Sequence, residues 1–209
     1  MIYDEPQFML WQVFPSTAVR AVMTQARAPR ADAVRNRTKI LSAAREQITA
    51  HGPEVGMDQI AAAAGVAVGT LYRHFPTKTD LVAAVVTEFV TRVADDAEGA
   101  CARVDSGARA LEEIAGFLAR TVALTATNQA AKAAAQALGA DPAASAEEDR
   151  AGAALAALIC SGQAAGDIHP DVTVSDIYLL FSAAPTDQPH TARARWLTLV
   201  LPGLTTRAR

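Results

Sequence analysis

Cysteine is nearly absent from this chain. Cys101 and Cys160 stand far apart without a paired spacing, so neither a disulfide framework nor a zinc ribbon is indicated. Both read as buried or half-buried thiols of a reducing cytoplasm. Clustered histidine is missing too: His51, His74, His169 and His190 sit singly. There is no H-E-x-x-H, no G-x-S-x-G and no Walker-type glycine loop, so the commonest metalloprotease, serine-hydrolase and nucleotide-hydrolysing designs have no footing. Adjacent acids such as Glu112 with Glu113, or Glu147 to Asp149, fall on helical segments and point in different directions, which suits solvation better than shared acid and base work. His169 lies in the loop sequence GDIHPD and reads as a turn residue. No enzyme, metal site or cofactor is expected. Long apolar runs are lacking as well. The patch Phe8, Met9, Leu10, Trp11, Val13, Phe14 is too short for a membrane span, and acidic Asp4 and Glu5 precede it where a signal peptide would be basic. Nowhere do apolar and polar residues alternate in a way that demands a sheet.

What is present is a chain of 209 residues, 51% hydrophobic, enough for one or two small domains. Its net charge of −3 hides an asymmetry. From Arg20 to Asp80 nine Lys or Arg face five Asp or Glu, whereas from Leu81 onward ten face fifteen. A basic first third fits a phosphate-facing surface, and an acidic remainder would be repelled from DNA. So small an excess also fits a merely solvated face.

The stretch Met57 to Leu81, MDQIAAAAGVAVGTLYRHFPTKTDL, organises the rest. Ile60, Ala61 and Ala64 fall at helical spacing, and Gly65 follows where a positive φ would end the helix at little steric cost. A second short helix then carries Leu71 and Phe75 on one face, with Val68, Thr70, Arg73 and His74 pointing elsewhere. An apolar back, a polar front and a small residue, Ala61, at the crossing predict a helix-turn-helix whose second helix is free to enter a major groove. Before it, Val34, Arg37, Ile40, Leu41, Ala44 and Ile48 predict a helix over 32–50, stopped by His51, Gly52 and Pro53. Thr77 or Thr79 can cap the helix after it, and Lys78 falls in that helix's first turn, where a positive charge is unfavourable unless an external anion is near.

The string VAVGTLYRHFPTKTDL resembles the recognition-helix signature of the TetR family of bacterial transcriptional regulators, through Val66, Gly69, Thr70, Leu71, Tyr72, His74, Phe75, Lys78 and Leu81. The resemblance extends back through RTKILSAAREQITAHG and spans about Arg35 to Val90. Ala67 and Gly56 depart from it, standing where Ser or Thr commonly caps the two helices of the motif. The resemblance implies an all-α protein with an amino-terminal three-helix DNA-binding module over 34–80 and a helical effector-binding and dimerisation domain over 81–209. Residues 1–33 form an extension, of which 1–22 read either as a mis-assigned start or as a loosely ordered tail. The basic run Arg20, Arg27, Arg30, Arg35, Arg37 is alternatively a minor-groove arm. For DNA, Val68 and Gly69 would let the backbone approach closely, Thr70 and Tyr72 would meet phosphate or a base edge, and Arg73 is suited to guanine; Tyr72 is alternatively partly core, and Arg73 alternatively reaches phosphate alone. His74 and Lys78 would hold phosphate, the lysine being the family's phosphate ligand by resemblance.

A long helix over about 80–104, with Leu81, Val85, Phe89 and Val93 on one face, would join the two domains. Further helices are predicted over 108–126, 128–138, 146–165, 174–184 and 191–201, broken at 139–142, 166–171 and 185–189. Phe89, Phe117, Thr121, Tyr178 and Phe181 are candidates to line an apolar effector cavity, each being equally acceptable as core. Leu155, Leu158, Trp196 and Val200 are candidates for a twofold interface with a second copy. The expected partners are therefore an operator in double-stranded DNA, a second copy of the chain and an unidentified small molecule, with no membrane and a cytoplasmic location. A regulator without a small-molecule effector, controlled by a protein partner or acting as activator, and an enzyme on a helical scaffold are the competing readings.

Overall fold

In the computed structural model, which describes residues 28–142 and 145–206, eight α-helices follow one another. They are α1 (Ala28–His51), α2 (Met57–Ala64), α3 (Val68–His74), α4 (Lys78–Asp105), α5 (Ala110–Ala137), α6 (Ser145–Ala164), α7 (Val174–Ser182) and α8 (His190–Val200), and a 3-10 turn (Leu201–Leu204) ends the series. Among the described residues there is no strand, only one antiparallel bridge between Ile168 and Thr205. The readings made above for 1–22, and for Arg20 and Arg27 as a DNA-reaching arm, lie outside the described residues. Arg35 and Arg37 belong to α1, and Arg35 pairs with Asp32 one turn away.

Two apolar cores divide the molecule. The first takes Ile40, Leu41, Ala44 and Ile48 from α1, Ile60 and Ala61 from α2, Leu71 and Phe75 from α3 and its end, and Leu81, Val82, Val85 and Val86 from the start of α4. The predicted stripe on α1 therefore begins at Ile40. Val34, two turns earlier, is 66% exposed. The second core joins Ala97 and Ala100 of α4, Ile114, Phe117 and Leu118 of α5, Leu155, Leu158 and Ile159 of α6 and Ile177 of α7. Each such aliphatic side chain taken fully from water contributes about 1.5–3 kcal/mol before the entropy of ordering is charged against it. Small residues let α4 lie close in the bundle: Ala94, Ala97 and Ala100 are fully buried, and Cys101 Sγ donates to Ala154 O at 3.2 Å. Burial, more than the neighbouring Asp105 and Glu98, pushes the Cys101 thiol up. Cys160 is exposed on α6, contrary to the reading of both cysteines as at least half-buried.

The sequence reading split 108–138 into two helices, but α5 is continuous. No Gly or Pro stands at 126–128 to break it, and the polar pair there folds back on the helix. Asn128 Nδ2 donates to Leu124 O at 2.7 Å and Thr127 Oγ1 donates to the same carbonyl at 2.8 Å, so residues that favour caps are satisfied internally. The consequence is mechanical. At its far end α5 sets Ala131, Ala134 and Ala135 into the first core, so α5 as well as α4 belongs to both halves of the molecule.

Candidate nucleic-acid interface and interior cavity

Helix α2 ends as its sequence requires. Gly65 takes φ +65°, its N–H donates to Ala62 O at 3.1 Å, and Val66 N–H donates to Ala61 O at 3.0 Å. This pair of bonds satisfies the last carbonyls and turns the chain sharply into α3. Ala61, fully buried, lets the two helices approach. The missing hydroxyls have the expected local effect, since neither Gly56 nor Ala67 offers a side-chain cap. At Gly56 half of a box survives: Gln59 Oε1 accepts from Gly56 N–H at 3.0 Å. After α3 the full device appears. Thr77 Oγ1 accepts from Asp80 N–H at 3.0 Å while the Asp80 carboxylate accepts from Thr77 N–H at 3.0 Å, so Thr77 and not Thr79 caps α4.

These turns hold α3 with Leu71 and Phe75 inward. Val68, Gly69, Tyr72 and Arg73 lie on its open side, Tyr72 being 47% exposed. Thr70 and His74 are half-buried on the flanks, and Lys78, half-buried, is the first residue of α4. The seven candidate DNA residues thus occupy one short helix and the start of the next. Arg73 and Lys78 make no ion pair among the described residues. The contact that sequence reasoning missed is Arg37, whose guanidinium lies over the Phe75 ring at 4.7 Å from its centroid, holding the closing residue of the motif against α1. Its place in the helical stripe was the available signal, because a cation among apolar neighbours needs a partner.

The five cavity candidates also come together. Phe89 on α4, Phe117 and Thr121 on α5, and Tyr178 and Phe181 on α7 line one cavity of about 350 Å³. Phe117 and Phe181 meet edge to face at 5.8 Å. Sequence reasoning did not single out Lys132 and Glu148, which also line it, and no apolar pattern marks an exposed charged residue as a wall. The interface candidates do not stay together. Leu155 and Leu158 are each 1% exposed inside the chain's own second core, so they cannot face another copy. The outward side of α6 is instead Ala153, Ala156, Ala157, Cys160, Ser161 and Ala164. Trp196 and Val200 are half-buried on α8. His169 is held as a turn residue: its N–H donates to Leu204 O at 2.9 Å, and its ring Nδ1 meets Asp171 Oδ1 at 2.8 Å.

Residues 40–85 match the family model described as bacterial regulatory proteins, tetR family, and residues 108–206 match the C-terminal domain of SbtR-like transcriptional regulators. A TetR transcription regulatory protein from Mycobacterium vanbaalenii is 35% identical, the match covering 85% of this chain and 99% of that one, with a TM-score of 0.69. The chain belongs to the TetR family. A TetR transcriptional regulator from Streptomyces coelicolor is 30% identical over 82% of this chain and 99% of its own, with a TM-score of 0.66. No curated protein matches the chain. As a TetR-family transcriptional regulator the protein is a DNA-binding one, and no helix among its described residues is long and apolar enough to cross a membrane.

Proposed function

We propose that this TetR-family regulator is a repressor that a small molecule releases from a palindromic operator. The observation that carries the reading is the sharing of helices between cavity and DNA-binding module. On α4, Phe89 lines the cavity one turn beyond Val86 of the first core. On α5, Lys132 lines the cavity beside Ala131 of that same core. Between them Glu88 reaches α1 through Arg45 at 3.9 Å. A molecule that displaces the cavity wall therefore bears directly on the helices that seat α3.

In the DNA-bound state Arg73 would read guanine, Thr70 and Tyr72 would meet phosphate or a base edge, Val68 would touch a thymine methyl, Gly69 would permit close approach, and His74 and Lys78 would hold phosphate. Two copies, joined through the small-residue face of α6 together with α8, would set two such helices about 34 Å apart, or a multiple of that, which is why the operator should be palindromic. The effector favours the conformer in which that spacing is wrong. It lowers operator affinity by no more than its differential affinity for the two states, typically about 5- to 150-fold.

The test is titration of the purified protein against its own upstream DNA at several salt concentrations, with and without a cavity ligand. Saturable binding to a palindrome that the ligand weakens supports the proposal. A ligand that binds tightly and leaves operator affinity unchanged at fixed salt would overturn release by effector and favour control by a protein partner.

A further inference from the structure

The walls of the cavity differ in chemistry from one helix to the next. Helices α4 and α7 bring rings, Phe89 and Phe181, while α5 brings Phe117 and then a polar row, Thr121, Thr125 and Lys132, at spacings of four and seven residues that keep them on one side of the helix. Thr125 Oγ1 spends its proton on Thr121 O at 2.8 Å. Thr121 Oγ1, on a residue 6% exposed, makes no hydrogen bond within the described protein, and neither does the Tyr178 hydroxyl. The latter lies against α6, 3.3 Å from where a Cβ on Gly152 would stand, so the glycine leaves room for it.

The cavity carries one charge of each sign, and the two are unequally provided for. Glu148 stands in the first turn of α6, where the helix terminus favours a carboxylate, and like Lys132 it is exposed to water. Lys132 stands near the middle of the far half of α5 with no carboxylate partner among the described residues. Its ammonium is held 5.5 Å from the centroid of Phe89, a ring of the cavity wall. A cation on the wall without a counter-charge asks for an oxyanion. The rings ask for a flat apolar body. At about 350 Å³ the space is near the lower end of the range for small-molecule sites, about 300–1,000 Å³, which suits one or two rings and not a long acyl chain.

Resting on the reading of the cavity as an effector site, we propose that its ligand is an aromatic monocarboxylate of one or two rings, with its carboxylate on Lys132 and its ring among Phe89, Phe117 and Phe181. Calorimetric titration of the full chain with 1-naphthoate, its neutral analogue 1-naphthylmethanol and its cationic analogue 1-naphthylmethylammonium separates the possibilities. The naphthoate should bind most tightly. Lys132→Met should weaken it about tenfold, as loss of a charge-assisted contact does, while leaving the neutral analogue within twofold. Equal or tighter binding of the neutral or the ammonium analogue would overturn the carboxylate assignment and leave release by effector standing, with the ammonium result transferring the role to Glu148. Absence of binding by all three would also overturn it. Binding of naphthoate that depends on Lys132 but leaves the operator complex intact would uphold the assignment and defeat release.

Discussion

The two halves of the molecule treat their positive charges in opposite ways. Around the recognition helix, Lys39, Arg73 and Lys78 have no carboxylate partner among the described residues, and Arg37 faces a ring. In the larger half, Arg103 Nη2 meets Glu113 at 2.8 Å, Arg109 meets Asp167 at 2.9 Å, Arg120 meets Asp96 at 2.9 Å, and Arg150 meets both Asp95 at 2.8 Å and Glu98 at 2.6 Å. Charges committed to neighbouring carboxylates add little field outward, whereas uncommitted ones are available to phosphate. Net charge blurs this contrast, because a pair and two absent residues count the same. Lys132, Arg193 and Arg195 are exceptions in the larger half, without a carboxylate partner among the described residues, and of the three Lys132 faces the cavity.

The largest expected effect lies beneath the free cations. Phe75→Ala removes a ring buried to 2% exposure and the perch of Arg37, and should lower the unfolding free energy by about 3–5 kcal/mol in chemical denaturation. A loss below about 1 kcal/mol would mean that the ring does not hold the module together. Next comes Arg73→Ala. It should weaken operator binding by about 1–3 kcal/mol and flatten the preference at one base position, read by titrating half-site variants. An equal loss on every sequence would place the guanidinium on phosphate instead of guanine. Lys78→Ala should weaken binding on all sequences alike and reduce the slope of log affinity against log salt by about 1. An unchanged slope would remove Lys78 from the phosphate contacts.

The legible parts of the sequence were those where a single residue type decides the backbone. Gly65 ends α2, one of two threonines starts α4, the structure choosing Thr77 over Thr79, and Leu71 with Phe75 fixes which side of α3 is hidden. The cavity residues were legible as a set because aromatics at helical spacing must pack somewhere, but whether they line a cavity depends on how four helices meet. The errors share a cause. At 126–128 the cap-forming types Thr127 and Asn128 suggested an end, and only the carbonyl of Leu124 reveals that they are satisfied within the helix. On α6, Leu155 and Leu158 were apolar enough for either side of the helix, and in an alanine-rich segment the pattern does not say which side meets the rest of the chain. The contact of Arg37 with Phe75 escaped notice because the two residues are distant in sequence.

The smallest effect tests the other side of the comparison. If the arginines of the larger half are committed to their carboxylates, Arg103→Ala together with Arg150→Ala should leave both operator affinity and its salt slope unchanged. Their signature should appear in pH instead. The hydrogen bond from Arg103 holds the Glu113 carboxyl below its ordinary value, and the hydrogen bond from Arg150 does the same for Glu98, against the opposing effect of desolvation. A carboxylate whose folded pKa is lowered stabilises the fold above its unfolded value, near 4.5, and that stability is lost as pH falls through the lowered folded value. Thermal unfolding followed downward from pH 6 should therefore show the wild type losing its advantage over the double variant below about pH 4.5. Arg103, Arg150 and Glu98 are each at least 40% exposed and only Glu113 is more covered, at 16%, so the difference in midpoint should be small and should shrink further in high salt. Parallel declines of the two proteins would show that the pairs are incidental, and a reduced salt slope for the double variant would show that these cations also face DNA, which would remove the contrast between the two halves.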